Sequence, residues 1–161
     1  MATKKSFKSY WLPFLIAFSL GGMFLLTVGY YWTEQVNSIN QLIKEDIHNL
    51  ATILNKINTT AGIISFEHEK NYIDFLNVVK FVGSEVGSMN LKYPEKWEGP
   101  YLQDNPTMQE KYYQVVKSGK DYYVVPGLGV RLSSGQMVDL VITIEELLDL
   151  GLAEKLTFTN S

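Results

Sequence analysis

The chain has 161 residues, 46% of them hydrophobic and 19% charged, which suits one domain with an accessory element and excludes a large multidomain enzyme. Fourteen basic against seventeen acidic residues leave a net charge of -3, so the chain lacks the electrostatic footprint of a nucleic-acid binder. With no cysteine, it can form neither disulfides nor thiolate metal sites, and it has no cysteine nucleophile.

Lys4, Lys5 and Lys8 are followed by an uncharged stretch from Ser9 to Thr33, apolar from Trp11 to Tyr31, and charge returns at Glu34. About 20 apolar residues cross a bilayer, and an isolated span must be helical to satisfy its own backbone. The pattern predicts residues 1–10 as a cytoplasmic tip and residues 11–33 as a transmembrane helix. Tyr10 and Trp11 at one end, with Tyr30, Tyr31 and Trp32 at the other, match the headgroup preference of aromatic rings. Basic residues before the span and acidic ones after it orient the N-terminus inward and residues 34–161 outward, toward a periplasm or the exterior. A cleaved signal peptide has a shorter apolar region ending in small residues, so an anchor is the preferred reading. Gly21 and Gly22 are candidate helix-packing positions, since small residues admit a neighbouring helix closely.

Beyond the span, Val36, Ile43, Leu50 and Ile57 recur every seven residues, with Asn40, Ile47 and Leu54 between them. This is a heptad seam on an amphipathic helix over residues 34–60, and its members are candidate helix-packing residues. No proline or glycine interrupts residues 30–61, so the two helices are expected to be continuous. Ile39, Leu42 and Ile53 broaden the stripe, as in a helix packed on a domain or within a multi-helix assembly. Asn58-Thr59-Thr60-Ala61-Gly62 reads as the helix end; its glycosylation triplet is a common chance match.

Residues 61–161 are expected to form a small α+β head. A second helix is predicted from Phe66 to about Val82 or Val86, capped by Ser65, with Tyr72, Phe75, Leu76, Val79, Val82 and Val86 on its buried face. His68 would then point away from Glu67 and Glu69. Prolines make Met89 to Thr107 a loop, in which Tyr93, Pro94, Trp97, Gly99, Pro100 and Tyr101 either pin the loop to the core or offer a protein-contact surface. Tyr112–Lys117 and Tyr122–Pro126 form a hairpin signal around Ser118-Gly119-Lys120-Asp121, and Leu128–Leu132 with Met137–Ile142 form a second. Thr143 with Glu146 forms a capping box that opens a short helix, which Gly151 ends or divides.

His48 and His68 lie on different elements without metal-ligand spacing, no GxSxG elbow is present, and Gly127-Leu128-Gly129 lacks a phosphate-binding context. Asp139, Glu145, Glu146 and Asp149 lack EF-hand spacing. No catalytic, cofactor or metal residue is therefore assigned.

The run Lys92-Tyr93-Pro94-Glu95-Lys96-Trp97-Glu98-Gly99-Pro100-Tyr101-Leu102 resembles the loop after the long helix in major pseudopilins of type II secretion. The layout of basic tip, apolar helix, amphipathic extension and α+β head is similar to that of pilin-type proteins in general. The chain departs from the family at Lys5-Ser6-Phe7, which supplies no cleavage glycine and no following glutamate, and at Asn105 to Lys111, which lacks the Asp-Pro-Trp-Gly pattern. The resemblance implies a noncatalytic structural subunit of a bacterial envelope or secretion assembly, held single-pass in the inner membrane with its head outside. Its expected partners are the lipid bilayer and other membrane-anchored subunits, including copies of itself. An accessory subunit of a membrane enzyme and a tethered ligand-binding sensor share the same architecture and remain alternatives.

Overall fold

The computed structural model describes residues 11–158, with side chains described except at residue 12 and residues 32–38. The expected tip at residues 1–10 lies outside the described residues. Helix α1 is Trp11–Ala61, and contacts divide the chain within it, into Met1–Ser38 and Ile39–Ser161.

The first unit contributes the Pro13–Tyr31 stretch of α1, which is long and apolar enough to cross a membrane and has no buried residue. An anchor and a signal sequence share these properties. Ser19 and Thr27 turn their hydroxyls back onto the carbonyls of Ile16 and Met23, at 2.9 and 2.8 Å, so neither leaves an unmet donor on the apolar surface.

The second unit is α+β. The α1 stretch from Ile39 onward buries Ile43, Ile47, Leu50, Ala51, Leu54, Ile57 and Ala61, a single stripe at spacings of three and four. The stripe ends where Gly62 adopts φ 69° and its N–H reaches the Asn58 carbonyl at 3.0 Å, a left-handed helix stop that a side chain would strain. Asn58 Oδ1 also accepts from Ile63 N at 2.9 Å, and its Nδ2 donates to the Thr157 carbonyl at 3.4 Å. An amide committed in this way is a poor glycosylation acceptor.

Strands β1 (Ile63–Phe66), β3 (Glu85–Val86) and β4 (Met89–Leu91) form a three-stranded antiparallel sheet in the order β1-β4-β3. Strands β2 (Lys70–Tyr72), β7 (Gln114–Ser118), β8 (Asp121–Val125) and β9 (Glu154–Lys155) form a second sheet in that order. A small pair, β5 (Thr107–Met108) with β6 (Lys111–Tyr112), completes the sheets. One apolar core joins the α1 stripe to Phe66, Met89 and Leu91 from the first sheet and to Val115, Val116, Val124 and Val125 from the second.

The predicted β7–β8 hairpin is present, with Ser118 opposite Asp121 and Gly119 at φ 62°. Of the adjacent tyrosines, Tyr112 closes β6 and is exposed, while Tyr113, between β6 and β7, is fully buried. The capping box is also present: Glu146 N donates to Thr143 Oγ1 at 3.2 Å and Thr143 N to Glu146 Oε2 at 3.0 Å, opening α2 (Ile144–Asp149). Gly151, at φ 66°, follows its end.

Two expectations are corrected. The segment from Phe66 to Val86 is not a helix: Phe66 closes β1, residues 70–72 form β2, and an irregular stretch leads to β3. Buried Asn71 holds the turn, accepting from His68 N at 3.0 Å and donating to the His68 carbonyl at 2.6 Å. Pairing of β2 with β7 then outweighs the local helical period, and Val79 and Val82 of the supposed buried face are exposed. The turn also brings His68 Nε2 to 3.5 Å from Glu67 Oε1, where a helix would have separated them. The second hairpin is reduced to one bridge, Arg131 with Met137, although Gly129 N and Val138 N still bond across it to Val138 O and Val130 O. Glycine at 129 and 135, both at positive φ, breaks the regular ladder.

Candidate interaction surfaces

Two sets of residues were expected to mediate contacts, the α1 seam and the aromatic loop, and the fold places them differently. Ile43, Ile47, Leu50, Leu54 and Ile57 lie on one face of α1 and are at most 2% exposed within the chain's own head. They are therefore the central layer of the head core, with no surface left for another helix. Asn40 is also used internally: its Oδ1 accepts from Ser133 N at 3.0 Å, and Ser133 Oγ accepts from Asn40 N at 3.2 Å. The asparagine ties the 132–136 turn to α1, where a contact with another helix had been expected. Val36 lies on α1 among the side chains outside the described ones. Gly21 and Gly22 lie in the apolar stretch, and a Cβ built at either meets nothing within 4 Å.

The aromatic loop begins at Tyr93, passes through a short 3₁₀ turn at Pro94–Lys96, and folds onto residues 76–81. Trp97 Nε1 donates to the Val78 carbonyl at 3.0 Å, and its ring stands edge-on to Phe81 and Tyr101 at centroid distances of 5.6 and 4.9 Å. The N–H groups of Tyr101 and Leu102 both donate to the Leu76 carbonyl, at 2.8 and 3.2 Å. Gly99 fits because any Cβ there would press on the Trp97 indole and the Val78 carbonyl oxygen; the Gly99-Pro100 peptide is cis. Lys56 on α1 reaches Glu98 at 3.2 Å and stands 5.7 Å from the Tyr101 ring centre. Trp97, Gly99 and Tyr101 thus clamp the loop to the head. Tyr93 and Pro100 are the exposed apolar residues of the loop, and Lys92 and Lys96 stand beside the Tyr93 ring at 5.3 and 4.6 Å.

A polar contact not anticipated from sequence joins α1 to the second sheet. Tyr113, whose ring is buried in the core, donates from its hydroxyl to Asp46 Oδ2 at 2.6 Å at the partly buried edge of that core. Burial first, and the neighbouring carboxylate second, raise the phenol well above the ordinary tyrosine value of 10.0. With the folded pKa raised, this pair's stability is complete below the unfolded value and is lost progressively as pH climbs above it toward the folded one. The head should therefore weaken above about pH 10. Tyr113→Phe should lose about 1–2 kcal/mol at neutral pH and flatten the alkaline decline, measured by urea unfolding across that range. The acidic partner of Tyr113 lies 67 positions away and had no local signal.

Among the described residues, no group of three or more His, Asp or Glu side chains is placed to hold a metal ion. His48 Nδ1 and Glu154 Oε2, 3.1 Å apart, are on the surface. Asp139 caps its own loop, accepting from Val141 N and Ile142 N at 2.9 and 3.1 Å, while Glu146 serves the α2 cap. Comparison with known protein families, with characterised proteins and with solved structures finds no match to this chain.

Proposed function

We propose that this protein is a noncatalytic, single-pass subunit of a bacterial envelope assembly, pseudopilin-like in layout, anchored by α1 in the inner membrane with its head outside. The observation that carries the reading is the Pro13–Tyr31 stretch, long and apolar enough to cross a membrane and with none of its residues buried. Such a surface needs lipid or other helices around it. The basic residues before it support the orientation, and the aromatic residues at its ends mark the limits of the span. Because the seam from Ile43 to Ile57 is consumed by the head core, contacts with other subunits are assigned to the apolar stretch and to the head surface, including Tyr93.

The absence of cysteine makes the test direct. Single cysteines placed in turn from Phe14 to Tyr30 of the membrane-embedded full chain should form disulfide-linked copies with helical periodicity, about every 3.6 residues. Uniform or absent crosslinking would count against self-packing of this stretch. A mature chain lacking residues 1–31, found by N-terminal sequencing, would remove the anchor altogether.

A further inference from the structure

Contacts along α1 fix which part of the head lies at which level of that helix. Asn40 bonds Ser133, a Cβ built at Gly151 meets the Lys44 side chain at 3.1 Å, and His48 stands 3.1 Å from Glu154. Farther along, Asn55 Oδ1 accepts from Thr157 N at 2.9 Å. The Tyr122 ring, beside the β7–β8 turn, lies 5.2 Å from that of Phe66, past the helix stop at Gly62. The segment from Ser133 to Gly151 is therefore held at both ends to the first turns of the head's α1 stretch, and the β7–β8 turn lies toward the opposite end.

That first end is rich in exposed apolar side chains. Met137, Leu140, Val141, Leu148 and Leu150 are 41 to 82% exposed, and Leu42, at the same level of α1, is 52% exposed. Single exposed apolar residues are ordinary, whereas six gathered at one end mark an interaction surface. Ile142 and Leu150 share one shallow hollow, which joins the 136–142 loop to the end of α2. Leu140 and Val141, the most exposed of the set, stand in a bend closed by Asp139 Oδ1, which accepts from Val141 N and Ile142 N. With these amides already paired, the bend can leave water at little cost to its backbone.

We propose that this end of the head rests on a phospholipid surface, with Leu140 and Val141 entering the boundary between headgroups and acyl chains. Asn40 follows Tyr31 by nine residues, at most about 30 Å of chain, so the tether holds this end near the bilayer whatever the angle of the head. Protruding aliphatic side chains suit a fluid surface, which needs no matching pocket. Asp139, Glu145, Glu146 and Asp149 outnumber Lys44 and Arg131 here, so apolar burial makes the contact and anionic headgroups add nothing to it. The inference rests on the proposed anchoring of Pro13–Tyr31 in a bilayer.

The test uses the full chain in phosphatidylcholine vesicles at a high lipid-to-protein ratio. Leu20→Cys, Lys120→Cys or Leu140→Cys carries a nitrobenzoxadiazole label, the chain having no other cysteine. Lipids with a nitroxide on the acyl chain should quench the labels at 20 and 140 and spare the one at 120, in the β7–β8 turn. Leu140 and Val141 are exposed, so neither substitution touches the core, and adding Val141→Asp should cut quenching at 140 about threefold. Quenching at 20 without quenching at 140 overturns this proposal, hands the surface to a protein partner and leaves the anchor standing. No quenching at either position removes both readings. Equal quenching at 120 and 140, quenching unchanged by Val141→Asp, or quenching that rises with added phosphatidylglycerol also overturns the proposal. A blue-shifted label at 140 that lipid nitroxides spare, and that reverts on dilution with lipid, assigns the surface to a second copy instead.

Discussion

Replacing Leu54 with aspartate should unfold the head, and Leu54→Ala should cost about 3 kcal/mol of its stability. Leu54 is fully buried at the middle of the α1 stripe, with Ile47, Leu50 and Ile57 on the same helix face and valines of the second sheet in the same core. Truncation to alanine removes the transfer energy of the lost methyl groups and leaves a cavity that a helix packed into two sheets cannot easily close. Aspartate adds an uncompensated buried charge, which few small domains withstand. Urea unfolding of the alanine variant and circular dichroism of the aspartate variant measure the two effects. A Leu54→Asp chain with unchanged head stability but lost self-association would return this residue to an intermolecular seam. Substitutions at Ile47 or Leu54 consequently report on folding first, and assembly is better read from the apolar stretch.

Gly127→Ala should be nearly as damaging, at about 3 kcal/mol, although it adds one methyl group. Gly127 is buried behind β6, and a Cβ there would overlap the Tyr112 carbonyl oxygen and crowd Lys111 Cβ at 3.1 Å. Because the principal obstacle is backbone, relief requires moving β6 or the Pro126–Gly129 turn rather than rotating a side chain. Nearby Gly119 supplies the control: it also lies beside a strand, but a Cβ built there meets nothing within 4 Å. Gly119→Ala should cost only the strain of its φ of 62°, about 1 kcal/mol. Comparable losses from both variants, measured by thermal unfolding, would show that close approach is not what selects glycine at position 127.

The sequence reading was strongest where one local signal had one structural outcome. Thr143 and Glu146 are close enough in the chain to form their capping box wherever the helix packs, and the glycine at position 62 stops α1 through its own backbone freedom. The β7–β8 hairpin was legible because two β-branched, tyrosine-rich runs flank a short turn with glycine. The segment from Phe66 to Val86 was misread because apolar spacing compatible with a helix also occurs in strands and irregular chain. Asn71 and β7, the partners that decided between them, lie inside a turn and over forty residues away respectively.

The same division holds for the interaction surfaces. A heptad seam records that one helix face must leave water, and the sequence by itself determined that much for Ile43, Ile47, Leu50, Leu54 and Ile57. Whether the covering surface belongs to another chain or to the same one is a question of long-range packing. The tertiary structure decided it by laying two sheets against α1. Likewise, the sequence showed an apolar stretch from Trp11 to Tyr31 and an aromatic loop from Tyr93 to Tyr101. Only the fold turned Trp97 and Tyr101 inward while setting Ser65, Glu67, Glu85, Ser88 and Asn90 along one cleft. Those five residues come from the end of β1 and from the β3–β4 hairpin, and no spacing within the chain announces a face that exists only when β1 and β3 pair with β4.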